Sequence, residues 1–92
     1  MKVIIRDSAL ADLDGIYVWV GRNNPAVAGV IIGRIFDTID LLFLFPYIGR
    51  TGKVRGTYEW PISKLPYLIV YTLDEEFSEL VILAVFHTAR EQ

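Results

Sequence analysis

Residues 49–73, G-R-T-G-K-V-R-G-T-Y-E-W-P-I-S-K-L-P-Y-L-I-V-Y-T-L, restrict the fold more than any other stretch. A Gly-rich turn carrying Arg50 and Lys53 leads into alternating polar and apolar residues, breaks at Pro61 and restarts as an unbroken apolar run. That is the sequence form of a β-hairpin. Over residues 53–62 the period is two: Val54, Tyr58, Trp60 and Ile62 point one way, and Lys53, Arg55, Thr57 and Glu59 the other. The first set is expected in the core and the second in water. The partner run, residues 67–73, has no charged residue, and its Tyr67, Ile69, Val70 and Tyr71 suit a pleated surface. It reads as a central strand covered on both faces.

The rest of the chain supplies what this hairpin packs on. Residues 2–6 hold Val3, Ile4 and Ile5, a short β-branched strand expected to join the same sheet. Asp7 or Ser8 can cap a helix, and Leu10, Leu13, Ile16, Tyr17 and Val20 then recur at three and four residues. Residues 21–24 end that helix, and Asn24-Pro25 pairs a cap with a proline suited to the first helical position. A second helix is expected over residues 26–45, with Ala28, Ile31, Ile32, Ile35, Phe36, Ile39, Leu42 and Phe43 as its apolar stripe. Pro46 stops it. Beyond the central strand, residues 74–78 form an acidic turn and residues 79–86 a last apolar strand. The expected class is α+β: an N-terminal strand, an antiparallel helical hairpin, then a three-stranded antiparallel meander.

Composition narrows the possible functions. At 92 residues, residues 1–92 are expected to make one domain. The chain has no cysteine, so disulfides and thiolate metal sites are excluded, and a reducing cytoplasm is the expected location. A single histidine does not build a zinc site, so no metal is expected. No cofactor is expected either, because the glycines of residues 49–56 precede a strand and not a helix. Hydrophobic residues reach 53% and the mean hydropathy is +0.41. A membrane span is nevertheless not expected, since Arg34, Asp37, Asp40 and Pro46 interrupt the long apolar stretch before it reaches roughly 18 uncharged residues. No signal-peptide pattern follows Met1. The apolar surplus instead suggests a surface that a partner covers. With nine basic and eleven acidic residues the net charge is −2, which argues against direct gripping of a nucleic-acid backbone. The charges are unevenly placed: Arg50, Lys53 and Arg55 form a basic patch, and Asp74, Glu75, Glu76 and Glu79 an acidic one.

The element order and a series of motifs resemble the RelE/ParE superfamily of type II toxin-antitoxin toxins. The motifs are Phe45-Pro46-x-x-Gly49-Arg50, Gly56-Thr57-x-Glu59, Leu65-Pro66-Tyr67-Leu68-Ile69-Val70-Tyr71 and Val85-Phe86-His87-Thr88-Ala89-Arg90. They are similar to the ParE branch, as are Ala11-Asp12-Leu13-Asp14-x-Ile16-Tyr17 and Asn24-Pro25-Ala26-x-Ala28. Two positions depart from that pattern: Tyr58 and Thr72 stand where arginine is common. The resemblance implies a plasmid-stabilisation toxin that inhibits DNA gyrase without chemistry of its own. It also implies a cognate antitoxin and a hetero-oligomer with it. Arg50, Lys53, Arg55 and Arg90 are the expected target-binding cations.

The RelE branch implies another activity, ribosome-dependent cleavage of mRNA. Here Glu59 would be the base, Arg55 or Lys53 the charge stabiliser and His87 the acid. Arg55 and Glu59, four apart on a strand, would share a side, so the three could converge on one sheet face. Each has a plainer reading. Arg55 and Glu59 also fit a same-face ion pair, and His87 a residue that closes the sheet by bonding to backbone or to Glu59. Tyr47, Tyr58, Trp60 and Tyr67 could stack on bases, but core packing beneath the helices is the simpler role, and Trp19 is read the same way. A third reading, prompted by Tyr58 and Thr72, is an antitoxin-binding module that has lost toxicity.

Overall fold

Asn24 starts the longer helix of the computed structural model, which describes residues 1–90 apart from the side chain of Arg90. Its side-chain oxygen accepts the Val27 N–H at 3.3 Å, and Pro25 occupies the first turn of α2 (Pro25–Leu44) as expected. The preceding helix, α1 (Asp7–Gly21), begins differently: Arg6 is its cap residue and makes no side-chain cap bond. Ser8, expected as a cap, instead donates its hydroxyl to the Leu83 carbonyl at 2.7 Å, a tie across 75 residues. The buried stripe of α1 runs through Ala9 and Leu13, with Ile16 packed against it, while Leu10 and Tyr17 face outward. Ala9 carries too little hydrophobic signal to reveal that offset. In α2, Ala28, Ile35, Ile39 and Leu42 are buried, and Phe36 and Phe43 lie on the exposed flank.

The five-stranded sheet contains β1 (Lys2–Ile5), β2 (Arg50–Thr51), β3 (Tyr58–Pro61), β4 (Tyr67–Asp74) and β5 (Glu79–His87), in the order β1-β5-β4-β3-β2. The expected meander is β3, β4 and β5, paired antiparallel, with β4 in the middle of the sheet. The N-terminal strand does join it, parallel to β5. The helical hairpin lies between β1 and the later strands in sequence, which gives the chain the length a parallel return requires. The short β2, read from sequence as part of a turn, pairs with β3 through Arg50 opposite Glu59.

Burial corrects the expected division of the first hairpin strand. Residues 53–57 are turn, not strand, so β3 is four residues long. Tyr58 and Trp60 do pack toward the helices, joining a core of Tyr67, Ile69, Tyr71, Ile82 and Val85 from the sheet and Leu13, Ile35, Ile39 and Leu42 from the helices. The opposite side is not wet: Thr57 is 8% exposed and Glu59 6%, whereas Val54, expected inside, is exposed.

A register shift between Val70 and Tyr71 places Ala84 opposite Val70 and Ile82 opposite Tyr71, leaving Leu83 as the extra residue. Its carbonyl is the one that Ser8 reaches. Two residues on, the Asp12 carboxylate accepts the Val85 N–H at 2.9 Å. Past the last residue of β1, which pairs with Ile82, side chains of α1 thus close the edge of β5.

Candidate functional site

Tyr71 fixes the corner from which the basic segment emerges. Its hydroxyl donates to the Pro46 carbonyl at 2.9 Å and accepts the Gly49 N–H at 3.0 Å. Burial, above all, raises the pKa of this phenol above its ordinary 10.0, which favours the protonated hydroxyl that donates to Pro46. The ring stacks on Tyr58 with centroids 5.5 Å apart and planes at 24°. A Cβ at position 49 would overlap the Tyr71 hydroxyl, which is why glycine stands there. Arg50 follows one residue after this fixed point.

From Arg50 the loop folds over the sheet face opposite the helices. The Gly52 N–H donates to the Thr57 carbonyl at 2.8 Å, and the Thr57 N–H and hydroxyl both donate to the Val54 carbonyl, at 3.1 and 2.6 Å. Gly56 takes φ +84°, a left-handed conformation that favours glycine. Its carbonyl accepts the Thr72 hydroxyl at 2.8 Å, which fastens the loop to β4. Beneath it, one Glu59 oxygen lies 3.6 Å from Arg50 Nε and the other accepts the Lys53 N–H at 3.4 Å. A nearly buried carboxylate therefore holds the first limb of a turn on which Arg50, Lys53 and Arg55 are exposed. The ion pair is Arg50 with Glu59, in place of the expected Arg55 with Glu59. Arg55 belongs to the turn and not to a strand, so the period-two argument does not apply to it.

His87 lies on the other side of the sheet. It pairs with Tyr67, whose ring it meets edge-on at 5.4 Å and 83°. Its Nδ1 accepts the Ala89 N–H at 3.1 Å, and together with Asp12, Ile16 and Trp19 it lines a recess against α1. Glu59 pairs with Val70, and Val70 with Ala84. Because side chains alternate faces along a strand, Ala84 and His87, three residues apart, project to opposite sides. Arg55, Glu59 and His87 thus do not converge on one face. Of the two partners expected for a structural His87, it has the backbone and not Glu59.

Residues 3–92 match the family described as the ParE toxin of type II toxin-antitoxin system, parDE. The chain belongs to the ParE toxin family. Among its relatives is Y4kP of Sinorhizobium fredii, whose name marks it as a candidate toxin; the two are 30% identical over 83 residues, 90% of this chain and 83% of the relative. A solved chain of the chromosomal ParDE system of P. aeruginosa superposes with a TM-score of 0.84 at 22% identity, covering 95% of each chain. A chain of the intact E. coli RelBE toxin-antitoxin complex superposes at 0.66 and 13% identity, covering 91% of this chain and 92% of that one.

In this ParE-family chain the two departures from the resemblance have structural work. Tyr58 supports the ring of Tyr71, and Thr72 holds Gly56. Core packing describes Tyr67 and the half-buried Tyr58 and Trp60, but not Tyr47 or Trp19, which are exposed. Arg22 instead lies over the Trp19 ring at 5.9 Å. The side chain of Arg90, expected at the target surface, lies outside the described residues. Among the described residues no cluster of His, Cys, Asp or Glu is placed to hold a metal ion, and no helix is long and apolar enough to cross a membrane. Sequence reasoning overlooked Tyr71 as the organiser of the site. Tyrosines inside an uncharged central run were the available signal, since a buried hydroxyl must find partners.

Proposed function

We propose that this ParE-family toxin inhibits DNA gyrase and arrests replication by docking, with Arg50, Lys53, Arg55 and Arg90 as target-binding cations and a cognate antitoxin neutralising it. The observation that carries this reading is the loop folded over Glu59 and fastened to β4, on whose backbone Arg50, Lys53 and Arg55 are exposed together. Such an array suits recognition of an acidic protein surface. Family membership supports the antitoxin, and the solved relatives are described as members of ParDE and RelBE systems. The exposed Leu10, Tyr17 and Val18 of α1 are apolar area that a partner segment could cover.

The alternative of ribosome-dependent mRNA cleavage has less support, because its acid and base would stand on opposite faces of the sheet. The inactive-module alternative rests on Tyr58 and Thr72, yet both brace the loop or its anchor. The test is supercoiling by purified gyrase in the presence of the purified chain. Inhibition is expected; undiminished supercoiling at excess toxin overturns the proposal. Changing Arg50, Lys53 and Arg55 together to Ala should abolish growth arrest on induction in bacteria while the domain stays folded, its unfolding midpoint lowered only by loss of the Arg50–Glu59 pair.

A further inference from the structure

At the corner between α2 and β2, four large apolar side chains are turned outward: Leu44 is 68% exposed, Phe45 57%, Tyr47 63% and Ile48 40%. The corner is built, not loose. The Phe45 N–H donates to Leu41, the Ile48 N–H to Phe45, and the Pro46 carbonyl and Gly49 N–H are both bonded to the Tyr71 hydroxyl. These residues frame an apolar recess of about 400 Å³. Tyr47 also lines a second recess, of about 190 Å³, with Asp74, Glu75 and Glu79 of the acidic β4–β5 turn. The Tyr47 hydroxyl donates to the Glu75 carboxylate, and that bond, then the carboxylate's charge, raises the tyrosine's pKa above the ordinary 10.0. One tyrosine thus joins an apolar floor to an acidic wall.

We propose that this corner docks a cationic amphipathic helix of another protein, its apolar side chains entering the Leu44–Phe45 recess and its Lys or Arg facing the acidic β4–β5 turn. Side chains are the natural recognition elements, because the Phe45, Ile48 and Gly49 N–H groups are already bonded and Pro46 has no N–H to offer an added strand. The acidic wall selects cations and repels anionic lipid and nucleic acid. A two-fold contact with a second copy would set acidic turn against acidic turn, which disfavours that occupant. The inference rests on the corner alone and is independent of the gyrase reading.

The test is fluorescence anisotropy of a labelled amphipathic peptide of Leu and Lys, about 18 residues or roughly five helical turns long, titrated with the full chain. A peptide with Glu in place of Lys, anionic phosphatidylglycerol vesicles and sedimentation velocity of the chain alone complete the set. The Lys peptide is expected to bind, more weakly as salt rises, and the Glu peptide and vesicles to bind at least tenfold more weakly, about the effect of reversing several rim charges. Both Leu44→Asn and the double change Glu75→Lys/Glu76→Lys should weaken Lys-peptide binding by roughly tenfold. All of these residues are exposed, so the fold should persist. No Lys-peptide binding, unchanged binding by both variants, equal binding of the Glu peptide or of vesicles, or self-association that Leu44→Asn abolishes would each overturn the proposal.

Discussion

Around β3 the sheet buries side chains on both of its faces, but by different means. On the helix side, Tyr58, Trp60, Tyr67, Ile69, Tyr71 and Val85 are covered by apolar side chains of α1 and α2. On the other side, Thr57 and Glu59 are covered by a loop that satisfies them with its own backbone and with Arg50. Burial of the first kind follows hydrophobicity and stabilises the fold directly. Burial of the second kind contributes little by area, since a desolvated carboxylate must first recover its lost hydration. What it yields is a fixed geometry for exposed cations. The first face holds the domain together, and the second holds a surface in place.

Tyr71 is where that division can be tested hardest, because its ring belongs to one face while its hydroxyl anchors the route into the loop. Truncating the fully buried ring in Tyr71→Ala should cost about 3–5 kcal/mol, the range for large aromatic cavities. Urea unfolding would measure it, and a loss under about 1 kcal/mol would mean that the ring is not a core element at all. Next in size is Glu59→Ala. It strips the Lys53 N–H of its acceptor and should cost about 1–3 kcal/mol, the penalty of an orphaned polar group, less whatever water recovers. Amide exchange at Lys53 should quicken while that at Ile69 does not. Equal quickening at both would erase the distinction between faces.

Much of this arrangement is legible in the sequence. Asn24-Pro25, the stripe through Ile35 and Ile39, and the uncharged run from Tyr67 each carry a local signal that matches what tertiary structure imposes, so helix start, packing face and central strand all agree. The offset in α1 escaped because Ala9 is small, although it is fully buried. The larger miss was Glu59. Alternation correctly set it opposite Tyr58, but period alone cannot say whether that far side meets water or a folded loop. Only the contacts from Gly52 to Thr57 and from Thr72 to Gly56 decide this, and they join residues whose individual propensities say nothing about one another. The two-residue β2 was hidden for the same reason: its pairing exists because the corner is pinned by a tyrosine 22 positions away.

The smallest expected effect concerns His87, and it separates the faces most cleanly. The imidazole contributes an edge-on contact with Tyr67 and one acceptor bond to the Ala89 N–H, near the end of the described chain. Edge-on aromatic contacts contribute about 0.5–1.5 kcal/mol and an exposed hydrogen bond less, so His87→Ala should lower stability by roughly 1 kcal/mol. Growth arrest on induction should persist in full, because the exposed cations are organised across the sheet by Glu59 and Thr72 and not by this ring. The unfolding midpoint and the arrest must be measured on the same variant. Arrest lost with the midpoint scarcely moved would place the working surface on the helix side, in the recess of Asp12, Trp19 and His87. Arrest retained while the triple Arg50, Lys53 and Arg55 variant abolishes it leaves the loop face as the toxic one. A parallel loss in both variants would mean that the sheet does not insulate its faces, and that a side chain on one governs geometry on the other.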